Sequence, residues 1–237
     1  MHKIAIIVPA YNEAENLAKV IEELIALKSK FDYPIEIVVI NDGSTDATLE
    51  IASKLDGIVL DLPINLGIGG AVQTGIKYAF ENDYDFAVQV DGDGQHPPQE
   101  IPKLIKAIQE SSSDVVIGSR FMTDEGFKST LLRRTGIRFF NSLIRLFCGQ
   151  IIKDCTSGFR IFNQKAMALV SEDYPDEYPE PESILLFAFN GLKVSETPVS
   201  MRSRTGGRSS IRRWGAVYYI VKVSLALFFR YIKAWKI

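Results

Sequence analysis

Phe86-Ala-Val-Gln-Val-Asp-Gly-Asp-Gly-Gln-His-Pro-Pro98 decides how the rest of the chain is read. The apolar run 86–90 is short and β-branched, as a buried parallel strand is, and it stops at an Asp-Gly turn. Pro97 and Pro98 suit the first turn of a following helix. Working outward, the same unit recurs. Residues 4–8, 35–40, 57–62 and 114–118 are further short apolar runs. Helix-like stretches lie between them at 13–29, 45–54, 68–82 and 98–111. Strand–helix alternation with short connections predicts an α/β fold around a mainly parallel sheet, whose ligands bind beyond the carboxyl ends of the strands. The later half reads as a helix over 131–148, a Gly-containing segment 154–162, an acidic Pro-rich loop 172–182, a helix over 182–190 and a strand over 193–200.

The polar residues gather at those strand ends. Asp91 and Asp93 would repel each other, so keeping both ionised calls for a cation. Hard oxygen donors with open positions suit Mg²⁺ or Mn²⁺ shared with a diphosphate. Gly92 and Gly94 permit close approach by a ligand. The plainer alternative is an Asp-Gly turn. After the first strand, Tyr11 can cover one face of a flat ring, while Asn12 can cap a helix. After the second, Asp42 is a candidate acceptor for the amide protons of a base. Asn65-Leu-Gly-Ile-Gly-Gly70 opens a helix whose N-terminus favours anions, but it lacks the lysine of a P-loop and the spacing of a dinucleotide site.

The chain has 237 residues, 46% of them hydrophobic, which excludes a disordered polymer and accommodates one large core. Its net charge of −2 hides an asymmetry: from Met201 to Ile237 there are nine Lys/Arg and no Asp/Glu, leaving 18 basic and 29 acidic side chains before them. A basic tail seeks an anionic surface, whether lipid, nucleic acid or the acidic body itself. No RNA-binding aromatic motif supports nucleic acid. Along 211–237, Arg212, Lys222, Arg230, Lys233 and Lys236 share one arc of a helix that is otherwise apolar, the pattern of a helix lying in a bilayer interface. The protein's own sheet or a dimer mate is the alternative surface. Residues 4–8 read as a first strand rather than a signal peptide, and Cys148 and Cys155 as reduced, partly buried residues.

Ile7-Val-Pro-Ala-Tyr-Asn-Glu13, Asn41-Asp-Gly-Ser-Thr-Asp46, Asn65-Leu-Gly67, Asp91 to Pro98 and Gly118-Ser-Arg120 together resemble the successive motifs of family 2 glycosyltransferases of the GT-A fold. The Gln95-His-Pro-Pro98 extension, Thr156-Ser-Gly-Phe-Arg160 and Arg204-Thr-Gly-Gly-Arg-Ser209 are similar to the polyprenyl-phosphate branch. Asp61 to Gly67 and Tyr178-Pro-Glu-Pro-Glu182 are similar to bacterial enzymes loading GlcNAc or glucose onto undecaprenyl phosphate.

The resemblance implies a catalytic unit over 1–210 and a basic helix over 211–237. It implies that Pro9, Tyr11, Glu13 and Asp42 hold the nucleoside, and that Asp91, Asp93 and Gln95 organise the metal and the donor diphosphate. Arg204 closes over the diphosphate, and Arg120, Arg138 and Ser142 grip the acceptor phosphate. Glu180 and Glu182 stand where many relatives carry a base, and are expected to position sugar or acceptor. The implied activity is inverting transfer of GlcNAc or glucose from a UDP-sugar to polyprenyl phosphate at the cytoplasmic membrane face. A small membrane protein or a second copy is an implied partner. Transfer to a glycan hydroxyl and a silent nucleotide-binding module are the competing functions.

Overall fold

The computed structural model describes residues 2–29, 31, 33–54, 57–122, 131–202 and 213–234. Strand β1 (Ile4–Ala10) is buried along its whole length. It pairs in parallel with β2 (Ile35–Asn41), from Ile4 opposite Ile35 to Ala10 opposite Asn41. On one side β2 carries β3 (Ile58–Asp61), and on the other β1 carries β4 (Phe86–Gln89), both parallel. Helices α1 (Leu17–Lys28), α2 (Thr48–Ser53) and α3 (Gly67–Glu81) make the crossovers; α4 (Ile101–Glu110) follows β4 after one short 3₁₀ turn. The alternation expected from the sequence is therefore present.

Beyond β4 the sheet departs from it. The strand order is β3-β2-β1-β4-β6-β5-β7, with β5 at Val115–Ser119, β6 at Arg160–Asn163 and β7 at Val194–Pro198. β6 runs antiparallel to both β4 and β5, whereas β7 is parallel to β5. Neither β6 nor α6 (Gln164–Glu172) is predicted above, because β6 has four residues and opens on an arginine. The Asn163 side chain then accepts the Ala166 N–H and caps α6.

Period-2 alternation sends Ile4, Ile6 and Val8 to one face of the sheet, where Leu17, Ile21 and Leu24 of α1 and Leu104 and Ile108 of α4 cover them. Ala5 and Ile7 face Val72 and Ile76 of α3 and Met167 and Val170 of α6. Gly75 lets α3 sit down on the sheet, since a Cβ there would lie 2.3 Å from Ile7 Cγ2.

A third cluster joins α5 (Leu131–Cys148), α7 (Pro179–Phe189) and α8 (Arg213–Ala234) over Ile117. Val223 and Leu227 of α8 are buried in it. Tyr219 of α8 meets Tyr178 and Phe140 edge-on, and Tyr231 stacks on Phe147. Two cations of α8 turn inward as well, while Lys233 is exposed. Arg230 pairs with Asp173 at 2.6 Å and Glu182 at 2.8 Å, and Lys222 with Glu177. For these two residues the acidic body is the partner, rather than the headgroups expected from the helical arc. Val217, Tyr218, Val221, Leu225, Phe228 and Phe229 remain exposed on the outer side. Arg212 and Lys236 lie outside the described residues.

Candidate active site

The loops after β1 and β2 are sewn together. Asn12 takes a left-handed conformation (φ 54°), which asparagine tolerates better than most residues, and its side chain accepts the Thr45 N–H at 2.8 Å. Its own N–H donates to Ser44 Oγ, and the Glu13 N–H donates to Thr48 Oγ1. Tyr11 is left 47% exposed beside this seam, free to cover a ligand face. Glu13 accepts from Asn16 Nδ2.

Asp42 is nearly fully buried. Its two carboxylate oxygens accept the N–H groups of Leu66 (2.7 Å) and Gly67 (3.0 Å) at the start of α3, where helix donors are unsatisfied. The residue expected to face a base thus also holds the Asn65–Gly67 loop in place.

The β4 exit lies beside that seam. Val90 N–H still bonds to Ile7 O and Gly92 N–H reaches Pro9 O, so the carboxylate loop leaves the sheet alongside Pro9. Asp93 is buried; it accepts the backbone N–H of Gln95 at 3.0 Å and a second bond from the Gln95 side-chain amide. Asp91 is more open, with Gln89 Nε2 at 3.2 Å from Oδ1. Two carboxylates and the amide oxygen of Gln95 form a hard donor set of the kind Mg²⁺ or Mn²⁺ takes. Among the described residues no three or more His, Cys, Asp or Glu side chains converge as a cage. An ion here would complete its shell from ligand oxygens and water.

The facing wall comes from the segment before β6. Gly158 stands against the carboxylate: a Cβ there would lie 2.9 Å from Gln89 Nε2 and 3.5 Å from both Asp91 oxygens. Arg160 is fully buried and donates to Ser157 O (2.7 Å), Ser183 Oγ (2.7 Å), Glu180 O (2.8 Å) and Cys155 O (3.3 Å). It ties this wall to the first turn of α7. Glu180, half-buried in that turn, has its carboxyl pKa pushed up by burial; Arg160 opposes the shift, and the charge of Asp91 adds to it. Ionised Glu180 therefore costs folding stability at neutral pH. Its stabilising contribution is full below the unfolded value of about 4.3 and lost as pH rises through the higher folded value. Glu180→Gln is expected to raise the melting temperature at pH 8 by more than at pH 5, as followed by circular dichroism.

The remaining expected residues are placed as follows. Arg120 makes a bidentate pair with Asp154, Nε to Oδ2 and Nη2 to Oδ1 both at 2.7 Å, with side-chain exposures of 5% and 0%. Burial works against the guanidinium charge and Asp154 more than offsets it. Arg138 and Ser142 lie on the exposed side of α5, and Ser142 Oγ donates to the carbonyl of Arg138. Glu182 is held by Arg230. Arg204 lies outside the described residues, although Arg202 N–H donates to Gln95 O at 3.0 Å, so the chain enters that segment from the carboxylate loop. Asp154, Arg160, Ser183 and His96 carry no individual role in the sequence reading. The signal for Arg160 is a guanidinium opening an otherwise apolar run, which a buried strand admits only with every donor partnered.

Known proteins share this fold. The solved glucosyl-3-phosphoglycerate synthase of Mycobacterium tuberculosis, in complex with Mn²⁺, UDP and glucosyl-3-phosphoglycerate, superposes with a TM-score of 0.73 at 20% identity, covering 97% of this chain and 80% of that one. Its likeness establishes the GT-A fold. The UDP-N-acetylglucosamine–dolichyl-phosphate N-acetylglucosaminyltransferase of Methanococcus voltae is 31% identical over 83% of this chain and 84% of its own length. A dolichyl-phosphate beta-glucosyltransferase of Trichomonas vaginalis is 30% identical over 99% of this chain and 76% of its own. Residues 5–169 match Glycosyl transferase family 2, and the chain belongs to that family.

Proposed function

We propose that the protein transfers GlcNAc or glucose from a UDP-sugar to a polyprenyl phosphate, with inversion, at the cytoplasmic face of a membrane. The observation that carries this reading is the Asp91–Asp93 pair at the β4 exit, walled by Gly158 and buried Arg160. The two relatives named for dolichyl-phosphate transfer support the acceptor class.

The chemistry suits a site with little need for a base. A phosphate monoester has a second pKa of about 6, so at neutral pH it already presents an oxyanion to the anomeric carbon. Asp91, Asp93 and Gln95 would hold Mg²⁺ or Mn²⁺, which when bound offsets the charge of the departing nucleoside diphosphate. Tyr11, Glu13 and the loop anchored by Asp42 shape the nucleoside side. Arg204 is the cation proposed to close over the diphosphate, and Arg120, Arg138 and Ser142 are proposed for the acceptor phosphate. Orientation of donor and acceptor supplies the rest of the rate.

Among the described residues no helix is long and apolar enough to cross a membrane. The outer face of α8, with Phe228 and Phe229 exposed, supports contact with the membrane surface, with a small membrane protein or a second copy as the competing occupants. In this reading 1–210 is the catalytic unit and 211–237 its membrane-side helix.

A second acceptor class is favoured by one observation. Glu180, its carboxyl pKa raised by burial and further by the charge of Asp91, is the candidate for the proton removal that a glycan hydroxyl requires. Product extraction separates the two. Radiolabelled sugar from UDP-GlcNAc or UDP-glucose should move into organic solvent only when polyprenyl phosphate and Mg²⁺ or Mn²⁺ are present. Label that stays aqueous on a glycan, and is lost in Glu180→Gln, would establish the hydroxyl acceptor instead.

A further inference from the structure

We propose that His96 is a positioning residue for the metal-facing carboxylate of Asp91, acting through the backbone at the point where β4 leaves the sheet. The inference rests on the metal-assisted reading above and concerns a residue given no role there.

β4 and β6 are antiparallel, and Gln89 is the last residue of β4 with a partner, opposite Arg160. On the β1 side the ladder runs on through Val90 N–H to Ile7 O and Gly92 N–H to Pro9 O. Between these, the Asp91 N–H turns the other way, toward the β6 side, where strand pairing has ended. His96 takes it: Nδ1 accepts that N–H at 3.0 Å. With Nδ1 accepting, the neutral ring carries its proton on Nε2. Nε2 stands 3.6 Å from Asp91 Oδ2, too long for a hydrogen bond.

The ring has little freedom to do otherwise. Its side chain is 5% exposed and lies flat on Phe159, with centroids 4.8 Å apart and planes 11° from parallel. Phe159 is itself fully buried, and its carbonyl accepts the Gly118 N–H at 2.8 Å. Through His96 the carboxylate loop is thus fixed to the wall that carries Gly158. A phenyl ring could fill the same space and keep the stack. It could not accept the Asp91 N–H, which would lose its partner at a part-buried position. Outer partners that orient a metal-binding group typically alter metal affinity by about 10–100-fold when removed.

The test is binding of UDP by the full chain, measured by titration calorimetry across a Mn²⁺ series, with thermal melts in parallel. His96→Phe keeps the stack and His96→Gln keeps a polar chain, but neither places an acceptor at the Nδ1 position. Both should raise the half-saturating Mn²⁺ concentration about 10–100-fold while metal-free UDP binding stays at the wild-type level. His96→Asn, whose Oδ1 falls near Nδ1, should recover most of that loss. If His96→Phe fails to fold, the Gln and Asn pair alone decides; if Asn or Gln fails, the Mn²⁺ titration of the variants that fold decides against wild type. Variants that titrate with Mn²⁺ as the wild type does, or an Asn variant no better than Gln, would overturn the proposal while leaving the metal reading intact. Wild-type UDP binding indifferent to Mn²⁺ would overturn both.

Discussion

Asp93→Asn is expected to cut the turnover number for sugar transfer about a thousandfold while leaving the melting temperature within a few degrees of wild type. The substitution keeps the volume and an acceptor for the Gln95 N–H, which bonds to Asp93 Oδ1 at 3.0 Å. What it removes is one of the two negative charges proposed to hold a cation at the departing diphosphate. Loss of one well-placed electrostatic group typically costs 10²–10³ in kcat, and a thousandfold loss corresponds to about 4 kcal/mol of transition-state stabilisation. Asp93 is buried, so neither water nor a neighbouring carboxylate easily takes its place. The measurement is steady-state transfer at saturating Mn²⁺, with a circular-dichroism melt as the control for folding. Activity within tenfold of wild type would remove Asp93 from the metal site.

The second large effect falls on stability. Asp154→Ala strands the Arg120 guanidinium, whose side chain is 5% exposed and whose bidentate partner is gone. Leaving one member of a buried pair costs about 3–5 kcal/mol. For a domain of this size that is a fall in melting temperature of about 6–20 °C. Arg120→Met combined with Asp154→Leu removes both charges, and most of the loss should return. The rescued protein then answers a separate question. If Arg120 grips the acceptor phosphate, the double variant folds but binds short-chain polyprenyl phosphate poorly. If Arg120 only anchors Asp154, acceptor binding survives.

The first half of the fold was legible because each element there obeys one period. β1 and β2 are apolar runs buried on both faces, and Asp91-Gly-Asp-Gly ends a strand at the edge where an α/β sheet binds its ligands. β6 was not, because two apolar residues behind an arginine carry no periodic signal. The guanidinium is admitted only because Ser157, Cys155, Glu180 and Ser183, separated from it by as many as 23 residues, present oxygens to it. Such complementarity exists only after folding. α8 shows the opposite limit. Its pattern of cations and apolar residues was visible, but a helical wheel cannot say which side faces the protein. The answer depended on Asp173, Glu177 and Glu182 lying opposite Arg230 and Lys222. For Asp42, residue type and strand-end position announced a polar role, while its bonds to Leu66 and Gly67 depend on a loop more than 20 residues away.

The reversed strand β6 also governs the order in which the molecule can be completed. β1 to β4 pair among themselves as soon as residue 89 is available, since their partners are near in sequence. The far edge of β4, with Ala87 and Val88 fully buried in the finished sheet, must then wait for residues 160–163. During that interval a growing chain presents an unpaired apolar edge, the feature most prone to join another molecule's strand. The residues that close it, Arg160 to Asn163, arrive together with the wall of the candidate active site. Sealing the sheet against aggregation and assembling that site are thus one folding event, and a chain stopped short of β6 would lack both.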